Sequence, residues 1–418
     1  MKFENWKKHK LGDVVSLNAK SLNPSQYSEI LFDYFSLPAF DFNKQSELVL
    51  GNAIMSNKYL VPDNSILFSK LNPRIPRVWK INSHKSVHKK ICSTEFLPLQ
   101  VNEKLSTLDF IFYVLQTNSL LAEIKGKATG TSGSHQRIRP DDLLETEIFL
   151  PSLELQKKIS AILSTLDDKI ELNKQINKTQ DKISKTIFKE WFVDFNFPTG
   201  TGKMKETEIG KIPVGWKVET FENVFDADRG LSYKGAGLTQ SYATPMHNLN
   251  SVLEGGGYKT IGIKYYNGDY KDKHIVNAGE LIIANTEQGH KYLLIGFPAI
   301  VPNFYGDTGI FSHHIYRMRA KKNCYLTADF MYHLLLQQQV REQVIGFANG
   351  TTVNMLKIEG LQKPKFAMPP KELADKFSAI AKTNRLQAEQ NIEENKTLSS
   401  LRDFLLPKLM KGEVRIKN

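Results

Sequence analysis

Residues 153–192, LELQKKISAILSTLDDKIELNKQINKTQDKISKTIFKEWF, place apolar side chains at Leu155, Ile159, Ile162, Leu166, Ile170, Ile176, Ile183 and Ile187. The steps are mostly three or four residues, which is one stripe of a helix with Lys, Glu, Asp, Asn and Gln over the rest. Pro151 and Ser152 stand ahead of the stretch as start signals, and no Gly or Pro interrupts it before Pro198. Such a helix is about 60 Å long. A helix of that length with so narrow a stripe does not bury itself and needs a partner helix.

The same chain supplies a candidate. In residues 371–410 the stripe returns at Phe377, Ile380, Ala388, Leu398, Leu401 and Leu405. A shift of 218 residues carries Ile159 onto Phe377, Ile162 onto Ile380, Ile170 onto Ala388, Ile183 onto Leu401 and Ile187 onto Leu405. Ser160-Ala161-Ile162 recurs as Ser378-Ala379-Ile380, and Asn173 maps onto Asn391, a polar residue inside both seams of the kind that fixes register. Two unrelated surface helices are the plainer alternative. The repeated spacing favours two long helices of one chain pairing as an antiparallel coiled coil.

The repeat extends beyond the helices. Trp6-Lys7 matches Trp216-Lys217, the run 61–68 resembles 276–283, Thr107-Leu108-Asp109-Phe110 matches Thr327-Ala328-Asp329-Phe330, and Ala128-Thr129-Gly130-Thr131 matches Ala348-Asn349-Gly350-Thr351. One unit of about 200 residues occurring twice accounts for the common order. Each unit is expected to be an α+β globular domain followed by its long helix, related by a pseudo-twofold. The expected boundaries are residues 1–152 for the first domain, 153–196 for its helix, 197–211 for a linker, 212–370 for the second domain, and 371–418 for the second helix and tail. Strands are expected at 12–17, 64–68 and 92–99, with one helix over 109–123 capped by Ser106 and Asp109. The stretch 197–216, polar, Gly-rich and charged, suits an exposed linker.

With 418 residues the chain is too long for one core, and its 41% hydrophobic and 24% charged residues are ordinary for a globular protein. No apolar run reaches the length of a membrane span, and the start MKFENWKKHK lacks the apolar core of a signal peptide. Two cysteines make no disulfide framework, so a cytoplasmic protein with reduced thiols and no membrane partner is expected. A formal charge of +12 and a pI near 9.3 point to an acidic polymer as partner.

The basic charge is clustered. Residues 64–94 hold no Asp or Glu but carry Lys70, Arg74, Arg77, Lys80, Lys85, Lys89 and Lys90 around Trp79. Residues 124–140 are likewise acid-free, with Lys125, Lys127, Arg137 and Arg139. In the second half, 308–328 holds His313, His314, Arg317, Arg319, Lys321 and Lys322 without an acid, and 344–358 is acid-free too. Loops of this composition have the donors to hold phosphates and contact base edges. A solvated basic face without a ligand is the plain alternative.

No catalytic constellation is evident. His84, His88 and Cys92 are four apart, as on one helix face, but the segment has strand character and the donor set is weak for a metal. His313-His314 falls in an expected strand, which would send the two rings to opposite faces. There is no Gly-x-Ser-x-Gly elbow and no phosphate loop. Pro62-Asp63 and Pro140-Asp141 lack the further carboxylate and lysine of a nuclease, and Met368-Pro369-Pro370-Lys371 is not the Asn/Asp-Pro-Pro-aromatic of an amino-methyltransferase.

Two globular domains, each followed by a helix opening as Leu150-Pro151-Ser152-Leu153-Glu154-Leu155-Gln156-Lys157-Lys158-Ile159, resemble the specificity subunit of type I restriction-modification systems. The turn Gly130-Thr131 with Ile138 beyond it, Ile212-Pro213-x-Gly215-Trp216 and Phe68-Ser69-Lys70-Leu71-Asn72-Pro73 carry the same resemblance, which covers essentially the whole chain. Departures are Ala374, where the pattern has Gln, and Ile282-Ile283-Ala284-Asn285, a loose version of Leu67-Phe68-Ser69-Lys70.

The resemblance implies a non-catalytic subunit that binds double-stranded DNA, each domain recognising one half of a bipartite site and the paired helices acting as a ruler. It implies two modification subunits docked on the helices, which use S-adenosylmethionine to methylate adenine, and restriction or motor subunits that use ATP and Mg. The chain itself would hold no cofactor and no metal. The candidate DNA-binding residues in the first domain are Lys70, Asn72, Arg74, Arg77, Lys80, Thr129, Thr131, Ser132, His135, Gln136 and Arg137. In the second they are Asn285, Thr286, Gln288, His290, Lys291, His313, His314, Arg317, Asn349, Thr351, Thr352 and Asn354. Two other readings remain open: a basic adaptor binding RNA or protein, and a stand-alone DNA-modifying enzyme with an unrecognised site.

Overall fold

The structure, a computed structural model, describes residues 6–82, 87–128, 136–240, 243–289, 291–350, 352–414 and 416. It divides into two compact units, Met1–Glu171 with Lys396–Asn418, and Leu172–Asn395.

The first unit is organised around strand Ser65–Ser69, whose five residues SILFS are all buried. A strand buried on both sides is a continuous apolar run rather than an alternating one. It is central in a four-stranded antiparallel sheet ordered Val15–Leu17, Phe96–Val101, Ser65–Ser69, Val78–Ile81. A five-stranded sheet runs Ser21–Leu22, Lys58–Leu60, Lys89–Cys92, Leu31–Phe35, Glu47–Leu50, with the pair Leu31–Phe35 and Lys89–Cys92 parallel. Two helices, Leu108–Val114 and Asn118–Lys127, pack Phe110, Ile111, Tyr113, Leu120 and Ile124 onto the core.

The second unit repeats this plan. Its four-stranded sheet is ordered Phe225–Arg229, Ile315–Ala320, Leu281–Ala284, Pro298–Ile300, again antiparallel around a fully buried strand. Its five-stranded sheet runs Leu238–Thr239, Lys264–Tyr266, Thr244–His247, Thr308–Phe311, Ile275–Asn277, with Thr244–His247 and Thr308–Phe311 the parallel pair. One edge has moved: the short strand Ser21–Leu22 pairs with Lys58–Leu60, whereas Leu238–Thr239 pairs with Lys264–Tyr266, at the opposite end of the equivalent order. Thr107 and Thr327 cap equivalent helices, each hydroxyl accepting from the N–H three residues on, Phe110 or Phe330, at 3.2 Å.

The long helices are Leu153–Phe192 and Lys371–Met410. In the second unit Asn173 bonds Glu394 and Asn395, Asn177 bonds Asn391 and the Ala388 carbonyl, and Ser184 bonds Asn384. Partners fall in number as their mates rise, so the helices are antiparallel. In the first unit Asp167 takes Arg402 at 2.7 Å in the same sense. The seam is more polar than the apolar stripe suggests. Asn173, Ser184 and Asn391 are buried, while Ile162, Leu172, Ile183 and Leu401 are exposed. Ile183 and Leu401 therefore do not form the interior of the pair; each sits one residue outside the row of contacts. The apolar burial comes instead from Ile159, Leu163, Phe188, Phe192 and Phe377 meeting the domain cores.

Several local expectations are revised. Residues 12–17 are not one strand: Leu11–Val14 is a helical turn that buries Leu11 and Val14 before strand Val15–Leu17. Residues 92–99 divide between the end of Lys89–Cys92 and Phe96–Val101, with the Phe96 N–H bonded to the Ser93 carbonyl. The helix expected over 109–123 breaks after Val114, where Gln116 Nε2 and Thr117 Oγ1 donate to the Phe112 and Val114 carbonyls. Gln337 does the same to His333 in the second unit. The helix cap is Thr107 rather than Ser106, whose hydroxyl donates to Gln156. The stretch 197–216 contains a hairpin, Met204–Thr207 with Gly210–Pro213, and buries Ile212 and Trp216. Among the described residues no helix is long and apolar enough to cross a membrane.

Candidate nucleic-acid interface

In the first unit the loop after strand Ser65–Ser69 is stitched to residues 136–138. The Asn72 N–H donates to the Gln136 carbonyl and the Ile138 N–H to the Lys70 carbonyl, both at 2.9 Å. Leu71 and Arg137 form an isolated antiparallel bridge, and Asn72 takes a left-handed φ of 51°. Lys70, Asn72, Gln136 and Arg137 are thus brought together, as the sequence suggests. Thr129, Thr131, Ser132 and His135, next to them in the chain, lie outside the described residues.

The side chains differ in what they offer. Arg74 is exposed and makes no ion pair among the described residues. Arg137 forks onto Glu95 at 3.2 and 2.7 Å while staying half exposed. Arg77 forks onto Asp41 at 2.7 and 2.8 Å and is only 11% exposed. The guanidinium bonds hold the Asp41 carboxyl below its ordinary range. Lys80 pairs with Asp109 at 2.6 Å and lies over the Phe112 ring. Arg77 and Lys80 are anchors of the loop and strand in this structure.

In the second unit strand Leu281–Ala284 runs into Asn285 and then strand Thr286–Gln288, which pairs with Val353–Leu356 and, through it, Ala348–Asn349. Asn285 is buried and holds both histidines of the next turn: its N–H donates to the His314 carbonyl at 3.1 Å and its Nδ2 to the His313 carbonyl at 3.0 Å. Thr286 Oγ1 lies 3.2 Å from His314 Nδ1. Asn354 is buried and donates to the Gly289 carbonyl. Gly350 is required where it stands, since with φ 152° a Cβ would lie 2.1 Å from the Val353 carbonyl oxygen. Asn285, Thr286, Gln288, Asn349, Thr352 and Asn354 share this small sheet and its loops, while Lys291 follows it in the chain and is exposed. His290 and Thr351 lie outside the described residues.

Two expectations change here. His313 and His314 are not in a strand facing opposite ways; they form a turn with ring centroids 3.9 Å apart. Arg317 is 3% exposed, ion-paired with Asp228 at 2.5 Å, bonded to the Ile275 carbonyl and packed over Phe311. It belongs to the domain core. The metal spacing of His84, His88 and Cys92 has no helix beneath it: His84 is outside the described residues, His88 is in a bend and Cys92 ends a strand.

Sequence patterning passes over Arg229, Tyr233 and Lys264, which stand around the histidine turn. Burial first, then His313, Arg229 and Lys264, hold His314 below its ordinary proton affinity. Lys264 Nζ donates to the Tyr233 hydroxyl at 3.2 Å. The signal is hidden because Arg229 directly follows Asp228, with Asp226 two residues before that, although neighbouring strand residues point to opposite faces.

Comparison with known proteins agrees with the duplicated architecture. The family described as "Type I restriction modification DNA specificity domain" matches residues 3–179 and again 213–394. The specificity subunit of type I restriction enzyme HindI from Haemophilus influenzae is 23% identical, covering 98% of this chain and all of that one. That of MjaIX from Methanocaldococcus jannaschii is 25% identical over 74% of this chain and 69% of its own length. Among solved structures, the S subunit of a type I restriction-modification system from M. genitalium shares the fold, with a TM-score of 0.62 at 16% identity over 98% of both chains. With the family's domain matched twice over most of its length, this chain belongs to the type I restriction-modification specificity subunits and carries two target-recognition domains.

Proposed function

We propose that each unit recognises one half of a two-part DNA site, and that the chain delivers partner enzymes to that site without performing chemistry itself. The observation that carries this is the duplication of one recognition plan with different side chains. Equivalent loops follow the buried strands Ser65–Ser69 and Leu281–Ala284, but the first offers Lys70, Asn72 and Arg74 and the second Gln288 and Lys291. The same backbone with different donors recognises different base pairs. The net charge of +12 supplies the sequence-independent attraction to phosphates.

In this reading two modification subunits dock on the long helices, where Ile162, Leu172, Ile183 and Leu401 present apolar surface beside a polar seam. Those subunits bind S-adenosylmethionine and methylate adenine, and a motor subunit using ATP and Mg joins them for cleavage. The paired helices keep the two half-sites at a fixed separation, and the complex works in the cytoplasm. The test is to purify the chain with its modification subunits and map methylated adenines genome-wide. Methylation confined to one two-part sequence supports the reading. Methyl transfer by the chain alone, or binding displaced equally by RNA, contradicts it.

A further inference from the structure

The second unit gathers positive groups at one spot that the first does not. His313 and His314 form the turn between strands Thr308–Phe311 and Ile315–Ala320, and the equivalent turn of the first unit holds Ser93 and Thr94. Arg229, at the end of strand Phe225–Arg229, and Lys264, at the start of Lys264–Tyr266, both act electrostatically on His314. Tyr233 completes the group, its ring 6.2 Å from that of His313 and its hydroxyl bonded to Lys264. Among the described residues none of these four cations and imidazoles is in an ion pair. The nearby carboxylate, Asp228, is committed to Arg317. Like charges do not collect in this way without cost, and binding an anion would offset it.

The hydrogen bonds of the imidazoles say what kind of anion. His313 Nδ1 lies 3.3 Å from the Leu231 carbonyl oxygen, which only accepts, so Nδ1 carries the proton. The neutral ring then presents a bare lone pair at Nε2, and becomes a donor there only on gaining a second proton. His314 has its Nδ1 engaged by Thr286, which also leaves one free ring nitrogen. The imidazoles, offering one donor each, and the lysine point charge do not form the two-pronged contacts that distinguish base pairs, and the Arg229 fork suits two oxygens of a phosphate. They do match the several acceptors of one phosphate.

We propose that Arg229, Lys264, His313 and His314 clamp a backbone phosphate of duplex DNA on the second recognition domain, and that the clamp takes up a proton as it closes. The proposal rests on the DNA-binding reading above. Its sign follows from the surroundings. Cationic neighbours and burial keep His314 neutral near pH 7 in the free protein, and a phosphate reverses that balance, so affinity falls as pH rises from 6 to 8. The first domain has no histidine at the equivalent turn, where Ser93 and Thr94 stand, so this proton uptake has no counterpart there.

The experiment uses the full chain and a fluorescent duplex enriched by that chain from a randomised pool, titrated at several salt concentrations at pH 6 and pH 8. The parent is expected to bind about three- to tenfold more tightly at pH 6. Arg229→Gln and Lys264→Gln, each at an accessible position, should weaken binding to all sequences alike and make the log–log salt dependence shallower by about one. His313→Gln with His314→Gln should abolish the pH difference. Equal parental affinity at both pH values overturns the clamp. So does an Arg229→Gln or Lys264→Gln variant that loses discrimination at one base pair with its salt slope unchanged. If the parent enriches no sequence from the pool, the DNA-reading proposal itself fails and the clamp falls with it.

Discussion

Arg77 and Asp41, in separate segments of the first unit, form a two-pronged ion pair with Nε–Oδ1 2.7 Å and Nη2–Oδ2 2.8 Å. The pair ties the loop at 72–77 to the end of helix Leu37–Phe42 and withdraws Arg77 from solvent. It makes Arg77 a support for the recognition loop and leaves Arg74 as the exposed arginine.

Arg77→Ala and Asp41→Ala should therefore have similar effects, each weakening first-half-site binding by loosening the loop. The double variant should be little worse than either, with a coupling of about 0.5–3 kcal/mol. Additive losses of DNA affinity would mean that Arg77 touches DNA directly. Because the folded Asp41 carboxyl titrates below its ordinary range, the pair's stabilisation is fully present above about pH 4 and is lost as pH falls through the folded value. Urea midpoints of parent and Asp41→Asn should converge below that range.

Burial of the helix pair gives a second contrast. Phe188 is fully buried against Phe192, Phe330 and Phe377. Phe188→Ala should cost about 3–5 kcal/mol. Ile183→Asp, five residues earlier and 46% exposed, should stay within about 0.5 kcal/mol of the parent. Thermal melts followed by circular dichroism check both, and a large loss at Ile183 would put it back in the seam.

His247 gives a third. It is 1% exposed, bonded through Nδ1 to the Tyr258 hydroxyl at 2.8 Å, and burial lowers its pKa to about 4. The unfolded chain binds a proton near the ordinary value of about 6.5 that the folded unit refuses. Stability should accordingly be full above about pH 6.5 and decline as pH falls toward 4. His247→Gln should flatten that decline in urea titrations; an unchanged slope would mean that another group carries it.

Gln156 gives a fourth. Its Oε1 accepts from Ser106 Oγ at 2.6 Å and the Thr107 N–H at 3.1 Å, and its Nε2 donates to the Leu105 and Pro151 carbonyls at 3.0 Å. Gln156→Ala should destabilise the first unit by about 1–3 kcal/mol through the stranded buried partners. Ala374 stands at the equivalent position, and there Arg385–Asp329 and Thr327–Ser378 tie helix to domain instead. A melt unchanged by Gln156→Ala would refute the clamp.

The repeat and the long helices are legible in sequence because both are periodic: a stripe over forty residues, then the same stripe again. Seam register is less legible. Apolar spacing selects Ile183 and Leu401, whereas the structure puts Ser184 and Arg402 in the contacts, since a one-residue shift rotates a helix by about 100°. Acid-free stretches locate the first recognition loop, but freedom from acids along the chain is not freedom in space. Asp41, Asp109 and Asp63 reach Arg77, Lys80 and Lys90 from elsewhere. The converse hides Arg229, which follows two aspartates in sequence and acts on His314 in the fold.

Selection of duplexes from a randomised pool by the full chain, repeated with Arg74→Ala and with Gln288→Ala, tests most directly whether each unit recognises its own half-site. Division of labour predicts two short sequences at a fixed gap, with Arg74→Ala relaxing one and Gln288→Ala relaxing the other. One continuous sequence, or both halves relaxing together in either variant, would contradict it.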